Sequence, residues 1–440
     1  MINEIAANIS SFMWGPILIG LLVGTGVYFT VRLRFIQVRR FLQGVRITLG
    51  LLDDPSHKGQ ISHFQALCTS LSGTIGTGNI AGVATAVALG GPGAIFWLWI
   101  TGLLGMVVKY AECGLAIKYR VFAKDDSVAG GPMYYIERGL KMRWLGVIFA
   151  VLASITAFFI GNMVQSNSVA DVMHSSLGVP KILTGLFMAV FIWLVLIGGI
   201  RRIARVAEGI VPLMCIVYIA GAVLVLALNL ERIWPAILLI FRSAFTPSSA
   251  MGGFAGSTVL YTMRMGIARG IFSNEAGLGS SPIAHAAAKE DEPARQGLVA
   301  MMDPFIDTIV VCTLTGLVIV VSGLWASGLN GATLTAACFR ASLDKYGDAI
   351  VVFGLLLFAL STLVSWSYYG DRSVFYLFGQ RATVPYKWLY CLLVPIGAVV
   401  KLDLIWNLAD IANALMAIPN LIALIALSGV IIRFTRDYEK

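Results

Sequence analysis

The chain has 440 residues, of which 58% are apolar and 12% are charged, whereas about 25% of residues in an ordinary soluble domain are charged. Apolar runs of about 20 residues, long enough to cross the hydrocarbon core of a bilayer, recur from end to end. This composition excludes a soluble protein and predicts a polytopic membrane protein. The net charge of +9 calls for no nucleic-acid partner, because basic residues accumulate on the cytoplasmic loops of membrane proteins. The six cysteines are too scattered for a disulfide framework or a zinc site.

Eleven membrane-spanning helices are predicted, and we number them spans 1 to 11 in chain order. Their approximate limits are 12–33, 64–89, 93–118, 145–172, 182–200, 206–228, 254–285, 298–323, 348–370, 384–400 and 406–432. Segment 234–245 is shorter and amphipathic, so we expect it to lie along the membrane surface. Because no long polar linker interrupts the chain, residues 1–440 are predicted to form one all-α integral membrane domain.

Lysine and arginine are distributed unevenly between the two sets of connecting segments. Most of the 32 basic residues fall in the segments that share a side with the C-terminus. By the positive-inside rule, this asymmetry predicts an external N-terminus and a cytoplasmic C-terminus.

Span 2 contains the glycine-rich stretch SGTIGTGNIAG at residues 72–82. It fits the dinucleotide-binding pattern G-x-G-x-x-G/A, but that motif requires a preceding strand and a βαβ unit, whereas apolar membrane sequence flanks this stretch. Two readings remain. The glycines either allow another helix to approach closely or mark a point at which the spanning helix unwinds.

A second glycine-rich stretch, RGIFSNEAGLGSSP, lies in span 7 at residues 269–282. Paired interrupted helices at corresponding positions of two halves are the best sequence indication of a transporter site at the membrane midplane. The two spans lie five apart, so the second half begins on the opposite side of the membrane from the first. We therefore predict five-plus-five inverted repeats, with residues 61–232 and 233–440 as the halves and residues 1–60 as an extra N-terminal helix and loop.

Unwinding a helix within the membrane frees backbone groups that must be buried in protein or line a cavity. Freed N–H groups and a helix N-terminus suit a carboxylate, and freed carbonyls suit a small cation. Glycine adopts the positive φ angles that such interruptions often require. The two stretches therefore favour cotransport of a small carboxylate-bearing solute with a cation.

Three blocks of sequence resemble the sodium–alanine/glycine symporters, and the resemblance extends over essentially the whole chain. The blocks are GTIGTGNIAGVATAVALGGPGAIFWLW (73–99), GPMYYIERGL (131–140) and RGIFSNEAGLGSSPIAHAAA (269–288). The resemblance implies the leucine-transporter fold, with five-plus-five inverted repeats and one extra helix. It also implies sodium-driven uptake of alanine or glycine across the plasma membrane.

The candidate substrate-binding residues combine this resemblance with the polarity of the two interruptions. They are Ile75, Thr77, Gly78, Asn79, Gln165, Phe272, Ser273, Asn274 and Trp366. The backbone roles, namely the Ile75 carbonyl and the Thr77 and Gly78 amides, rest mainly on the resemblance. Two readings stay open for Asn79, which either contacts a ligand or braces the unwound backbone. The same holds for Gln165 and Asn162, which share a helix face and either bind the substrate ammonium or join two helices.

The candidate sodium ligands are Ser72, Ile75, Phe358, Ser361 and Thr362. The hydroxyls of Ser361, Thr362 and Ser365 are able to bond back to carbonyls of their own helix. The alternative is a site of hydroxyl and carbonyl oxygens, and the adjacent Ser–Thr pair resembles a sodium site of transporters with this fold. We expect sodium there.

Charged residues inside the spans are costly and therefore informative. Lys109 and Glu112 have the spacing of an ion pair within one helix. Glu275 lies in the second interruption, where it is positioned to orient Asn274 or accept a backbone hydrogen bond. Asp303 and Asp307 begin span 8 and are candidates for an inward gate.

The sequence thus predicts a sodium-coupled symporter for alanine or glycine in the plasma membrane, working by alternating access. A proton-coupled symporter and a channel are the alternatives, although a channel pore usually requires several subunits or repeated filter loops. No hydrolase or P-loop motif is present, so no enzyme is predicted. The expected partners are alanine or glycine, sodium ions and lipid, with no resident cofactor, no nucleic acid and a monomeric functional unit.

Overall fold

The computed structural model describes residues 2–52, 57–122, 128–248, 254, 256–400 and 402–440. Most of these residues are helical, which confirms the predicted all-α class. A small antiparallel pair of strands, Val121–Phe122 with Val128–Ala129, lies between spans 3 and 4.

Each predicted span has a helical counterpart. The spans are, in order, Pro16–Arg32; His63–Thr74 with Val83–Gly90; Ala94–Tyr119; Arg143–Phe158 with Val164–Leu177; Lys181–Leu196; Gly199–Ala227; Val259–Asn274 with Ser281–His285; Pro293–Ala300 with Thr313–Ser322; Lys345–Phe378; Thr383–Val399; and Leu402–Ala426. The remaining α-helices include Ile2–Met13, Ile36–Arg39, Phe41–Thr48, Pro132–Leu140, Leu230–Phe245, Met302–Pro304, Gly331–Leu343 and Ser428–Tyr438. Within the described residues, eight helices are long and apolar enough to cross a membrane, whereas span 5 and the halves of the two interrupted spans are shorter.

Span 2 is interrupted where the sequence predicts it. Its first helix ends at Thr74, and Ile75 then takes an extended conformation with φ −73° and ψ 99°. The chain resumes as a π-helical turn at Gly78–Gly82 before the second helix begins at Val83. Single π turns in helices are frequent at functional sites.

Span 7 is interrupted at Glu275–Ser280. Glu275 adopts the left-handed conformation with φ +54°, and Gly277 and Gly279 follow at +85° and +83°. Glycine populates this region without a steric penalty, which explains its repetition in this segment. Pro282 lies in the first turn of the helix that follows, where its missing N–H costs nothing.

The two interrupted spans meet at both ends. At the end that we call the outer face, the Gly90 carbonyl accepts hydrogen bonds from Ser257 Oγ (3.0 Å) and Thr262 Oγ1 (2.8 Å). At the opposite end, the inner face, Gln296 lies 2.7 Å from His63 Nδ1 and 2.6 Å from His285 Nδ1. Each interrupted span therefore has an outer half and an inner half, and matching halves are joined.

Several local features are absent from the sequence prediction. Helix Gly331–Leu343 was not predicted, and it packs over span 2, where Thr335 Oγ1 donates to the Ile80 carbonyl at 3.0 Å. Further π turns occur at Phe159–Met163 and Phe305–Cys312. A π turn contains one residue more than an α-helical turn. Because the apolar residues of these turns continue the helical pattern on either side, the sequence carries no signal for the additional residue.

Close contact between spans 3 and 7 depends on Gly266. A Cβ atom there would overlap the Ala94 carbonyl oxygen, whereas one at Gly20 meets no described atom within 4 Å. We expect Gly266→Ala to lower the free energy of unfolding by about 1–3 kcal/mol, the usual cost of overpacking. Gly20→Ala is the matched control and should be neutral or slightly stabilising. Thermal unfolding in detergent tests both variants, and equal melting temperatures would contradict the packing argument.

Candidate functional site

The first interruption and span 9 bring five oxygen atoms together, and we call this group the five-oxygen cluster. It comprises the carbonyl oxygens of Ser72, Ile75 and Phe358 and the hydroxyls of Ser361 and Thr362. Ser361 Oγ lies 3.4 Å from the Ser72 carbonyl and 2.8 Å from the Phe358 carbonyl. Thr362 Oγ1 lies 3.3 Å from the Ile75 carbonyl and 2.9 Å from the Phe358 carbonyl. All five residues are buried, so all the candidate sodium ligands share one location.

The same geometry bears on the alternative for these hydroxyls. Both side chains bond back to the Phe358 carbonyl of their own helix, as expected if the hydroxyls only satisfy that helix. They also face carbonyls of span 2 across the interface, which helix-internal bonding does not explain. Ser365 Oγ instead donates to the Thr69 carbonyl at 2.7 Å and lies outside the cluster.

Two side-chain amides brace the first interruption. Asn79 Oδ1 accepts a hydrogen bond from the Gly76 amide at 2.9 Å, and Gln165 Oε1 accepts one from the Thr77 amide at 3.3 Å. Gln165 Nε2 also donates to the Ile160 carbonyl at 3.0 Å. Thr77 Oγ1 is buried without a hydrogen-bond partner among the described residues. The bracing role of Asn79 and Gln165 is thus present, and the amide that Gln165 holds, that of Thr77, is one of the two expected to meet a carboxylate.

Asp307 connects the two interruptions from span 8. Its carboxylate accepts from Asn79 Nδ2 at 2.6 Å, from Ser273 Oγ at 2.9 Å and from Thr308 Oγ1 at 2.7 Å. It is fully buried, and it forms no ion pair with a lysine, arginine or histidine in the part of the chain that the structure describes. A buried carboxylate held by neutral donors is stabilised only while those donors stay in place.

The second interruption is held by its own acidic and amide side chains. Glu275 accepts from Trp366 Nε1 at 2.8 Å and from Ser280 Oγ at 2.5 Å. Asn274 Oδ1 caps the Ala276 amide at 3.0 Å, and its Nδ2 donates to Thr308. Trp366 therefore supports this segment through span 9.

The predicted substrate residues fall into two connected groups. Ile75, Thr77, Gly78, Asn79 and Gln165 surround the first interruption, while Phe272, Ser273, Asn274 and Trp366 surround the second. The groups meet at Gly78, where an added Cβ would lie 3.3 Å from both the Phe272 ring and the Ser273 backbone. Asn162, which was considered beside Gln165, instead donates to the Tyr390 carbonyl at 2.6 Å and joins spans 4 and 10.

A cavity of about 550 Å³ lies on the outer side of Phe272. Its lining includes Thr85, Met265, Arg269, Asn330, Trp406 and Asp410. Arg269 forms an ion pair with Asp410 at 2.6 Å, and its guanidinium lies over the rings of Phe272 and Trp406. The two rings stack at 4.9 Å, so Phe272 packs against Trp406 and Arg269, which line the cavity.

At the inner face, the segments that flank the two interrupted spans are joined by main-chain hydrogen bonds. The Gln60 and Ile61 amides donate to the Ala287 carbonyl at 2.8 and 3.3 Å, and the Lys289 amide donates to the Ile61 carbonyl at 2.8 Å. Arg120 donates to the Ala286, Ala288 and Lys58 carbonyls at 3.0, 2.7 and 2.8 Å. Nearby, burial opposes ionisation of Glu290, but the hydrogen bond from His63 and the positive charge of Arg295 outweigh it and lower the pKa of that carboxyl. These contacts hold the inner halves of the interrupted spans together.

The ion pair predicted within span 3 is wrong. Lys109 pairs with Asp303 of span 8 at 3.1 Å, and Glu112 instead accepts from Asn420 Nδ2 at 2.9 Å. A helix-surface pairing rule misses this arrangement because both side chains point into the protein, where contacts between distant segments decide the partner. The connecting role of Asp307 was missed too, although an acidic residue in an apolar run was its signal.

The chain matches the sodium:alanine symporter family over residues 1–440. The chain belongs to this family. It is 48% identical to the sodium/alanine symporter AgcS of Methanococcus maripaludis, with 98% of this chain and 96% of that protein covered. It is 51% identical to an uncharacterized transporter of Haemophilus influenzae, with coverage of 99% and 96%. A probable sodium/glutamine symporter, GlnT of Bacillus subtilis, is 37% identical, with coverage of 100% and 91%.

Solved structures of distant transporters share the fold of this family member. The crystal structure of MhsT in complex with L-phenylalanine aligns with a TM-score of 0.60 at 15% identity, covering 85% of this chain and 90% of that one. A manganese transporter of Eremococcus coleocola aligns with a TM-score of 0.55 at 15% identity, covering 80% and 74%. The protein is therefore a multi-pass transporter of the leucine-transporter fold, as the sequence resemblance implied, and not a member of an enzyme family.

The contact between Asn79 and Asp307 can be tested by exchanging charge. Asn79→Asp places a second carboxylate against Asp307 and should cost about 3 kcal/mol, as expected for an uncompensated buried charge. In the double variant Asn79→Asp/Asp307→Asn, one carboxylate again faces one amide, so part of the loss should be recovered. A double-mutant cycle on thermal stability measures the coupling. Additive effects of the two substitutions would show that these side chains do not interact.

Proposed function

We propose that this symporter imports alanine or glycine together with sodium by alternating access between the outer and inner faces. The observation that carries the proposal is the five-oxygen cluster. Hydroxyl and carbonyl oxygens are hard ligands of the kind that alkali and alkaline-earth cations prefer. The cluster lies against the first interruption, so the binding of an ion and the conformation of that interruption are directly linked.

Sodium is proposed to bind between Ser72 and Ile75 of span 2 and Phe358, Ser361 and Thr362 of span 9. The substrate is proposed to bind on the other side of the interruption, with its carboxylate at the Thr77 and Gly78 amides. Gln165, which holds the Thr77 amide, would have to release it or share it. Asn79, Ser273 and Asn274 flank this position, and Phe272 and Trp366 supply its apolar walls.

Several further properties belong to the same proposal. The outer face is extracellular and the inner face is cytoplasmic, in accordance with the positive-inside asymmetry. Residues 61–232 and 233–440 form inverted repeats, and one chain is the functional unit. The relatives support a neutral amino acid, since one is named a sodium/alanine symporter and another a probable sodium/glutamine symporter.

Uptake into proteoliposomes tests the transport reaction. An inward sodium gradient should drive [¹⁴C]alanine above its equilibrium level, and a proton gradient alone should not. Unlabelled alanine and glycine should compete strongly, whereas leucine and phenylalanine should compete weakly, because Phe272 and Trp366 restrict the proposed pocket. Uptake that only equilibrates would indicate a channel, and accumulation driven by protons without sodium would contradict sodium coupling.

The five-oxygen cluster can be tested by Thr362→Val, which replaces the hydroxyl with a methyl group of similar size. We expect the sodium concentration for half-maximal alanine binding to rise about tenfold or more, because a coordinating oxygen is lost and the two ligands are linked. Expression and thermal stability without ligands should change little. [¹⁴C]alanine binding to purified protein over a sodium titration measures the effect.

Thr156→Val is the matched control, since Thr156 is also buried and donates to the i−4 carbonyl, Leu152, at 2.7 Å. It lies outside the five-oxygen cluster and should leave the sodium dependence unchanged. An unchanged sodium dependence in Thr362→Val would show that this hydroxyl serves only its own helix.

A further inference from the structure

Lys109 is a fully buried lysine within span 3, and the proposed substrate and sodium contacts do not use it. Its Nζ lies 3.1 Å from Asp303 Oδ2 and donates a hydrogen bond to Ser281 Oγ. A charged side chain at this depth is costly unless it is paired, and such residues usually have a functional role.

The Lys109 ammonium is linked to both interrupted spans, directly through Ser281 of span 7 and, by way of Asp303, through Ser70 and Thr74 of span 2. Asp303 accepts hydrogen bonds from Ser70 Oγ and from Thr74 Oγ1, the latter at 2.8 Å, and Ser281 Oγ lies 3.5 Å from the same carboxylate. Ser70 and Thr74 belong to the inner half of span 2, and Ser281 belongs to the inner half of span 7. One carboxylate and three hydroxyls therefore form a buried group of hard oxygen atoms, and the ammonium contacts the carboxylate and the Ser281 hydroxyl of this group.

This group lies on the opposite side of the same half-helix from the five-oxygen cluster. Ser70 and Thr74 are i, i+4 neighbours on one face, whereas Ser72 and Ile75 point to the other. The inner half of span 2 thus lies between a proposed exchangeable cation on one side and a covalently attached cation on the other. The Asp303 carboxylate fixes Thr74, and Thr74 directly precedes the Ile75 carbonyl.

We propose that Lys109 is a tethered cation, whose ammonium fills an ion site shared by the inner halves of both interrupted spans and takes the place of a second exchangeable ion. If Lys109 replaces a second ion, the exchangeable sodium binds at the five-oxygen cluster alone. This consequence for ion coupling rests on the proposed function, which assigns sodium to that cluster. The Lys109 site itself is proposed from its oxygen atoms and its buried ammonium. It acts on transport by positioning Thr74 and Ile75, so Lys109 is a positioning residue.

Chemical rescue tests this proposal. Lys109→Ala removes the ammonium and its stem and leaves Asp303 with the three hydroxyls. At saturating sodium, we expect alanine binding to weaken about tenfold or more, because a buried charged hydrogen bond is lost. Propylammonium in millimolar amounts should restore binding and raise the melting temperature of this variant. Tetramethylammonium has the same charge but no N–H donor and should not restore either.

Two further variants serve as controls: one removes another lysine of the same helix, and the other keeps the side-chain volume at Lys109. Lys118→Ala removes an exposed lysine from span 3 and should neither impair binding nor respond to propylammonium. Lys109→Met fills the space without a charge, so it should remain impaired with propylammonium present. If Lys109→Ala does not fold, Lys109→Met still tests the site, because wild-type alanine affinity and sodium dependence in that variant would overturn the proposal.

Two other outcomes would also overturn it. The first is Lys109→Ala binding alanine like the wild type without any added amine. The second is full recovery in Lys109→Ala/Asp303→Asn without amine, which would show that Lys109 only neutralises Asp303. Thermal stabilisation of Lys109→Ala by propylammonium is measured without alanine or sodium. It therefore distinguishes failure of this proposal from failure of the transport function, which wild-type uptake tests.

Discussion

Backbone groups that are unpaired within a membrane protein must find partners inside the protein, and this constraint organises the whole site. The two interruptions free such groups at Ile75–Thr77 and at Glu275–Ser280. Side chains of the interrupted spans supply some of the partners, as Asn79 does for the Gly76 amide. Other helices supply the rest: Gln165 from span 4 holds the Thr77 amide, and Thr362 from span 9 faces the Ile75 carbonyl. The uninterrupted spans are therefore a scaffold for the interrupted ones, and this task explains polar side chains such as Gln165 and Thr362.

The acidic residues of the site follow from the same constraint. Glu275 and Asp307 each hold an interruption through neutral donors, whereas Asp303 is paired with Lys109. Carboxylates accept several hydrogen bonds at once, so one side chain is able to tie two segments together. This arrangement also stores electrostatic energy, because displacing any donor leaves a buried charge less well compensated. Movements of the interrupted halves are consequently coupled to the positions of these donors.

Much of this structure could be predicted from residue patterns. The predictions that failed have a common physical cause. Glycine runs located both interruptions, although for different physical reasons: Gly277 and Gly279 take left-handed backbone, whereas Gly76 allows close approach of Thr362. The Ser361–Thr362 pair indicated the oxygen cluster. Local patterns also suggested that Lys109 pairs along its own helix, although its partner is on span 8. The role of Asp307 depends on a π turn that the surrounding apolar residues do not encode. Tertiary contacts decide such details, and a single sequence does not specify them.

One peptide unit connects the proposed sodium and substrate sites. The Ile75 carbonyl faces Thr362, and the Gly76 amide on the same peptide plane donates to Asn79. Because a peptide unit is planar and rigid, its C=O and N–H groups reorient together. A cation that fixes this carbonyl therefore also fixes the direction of the amide beside the substrate position. The Thr77 amide belongs to the next peptide unit, which is joined to this one at Gly76 and is held by Gln165. In the proposed cycle, sodium thus fixes the peptide unit that leads into the carboxylate site at Thr77 and Gly78, and by linkage the substrate strengthens sodium binding equally.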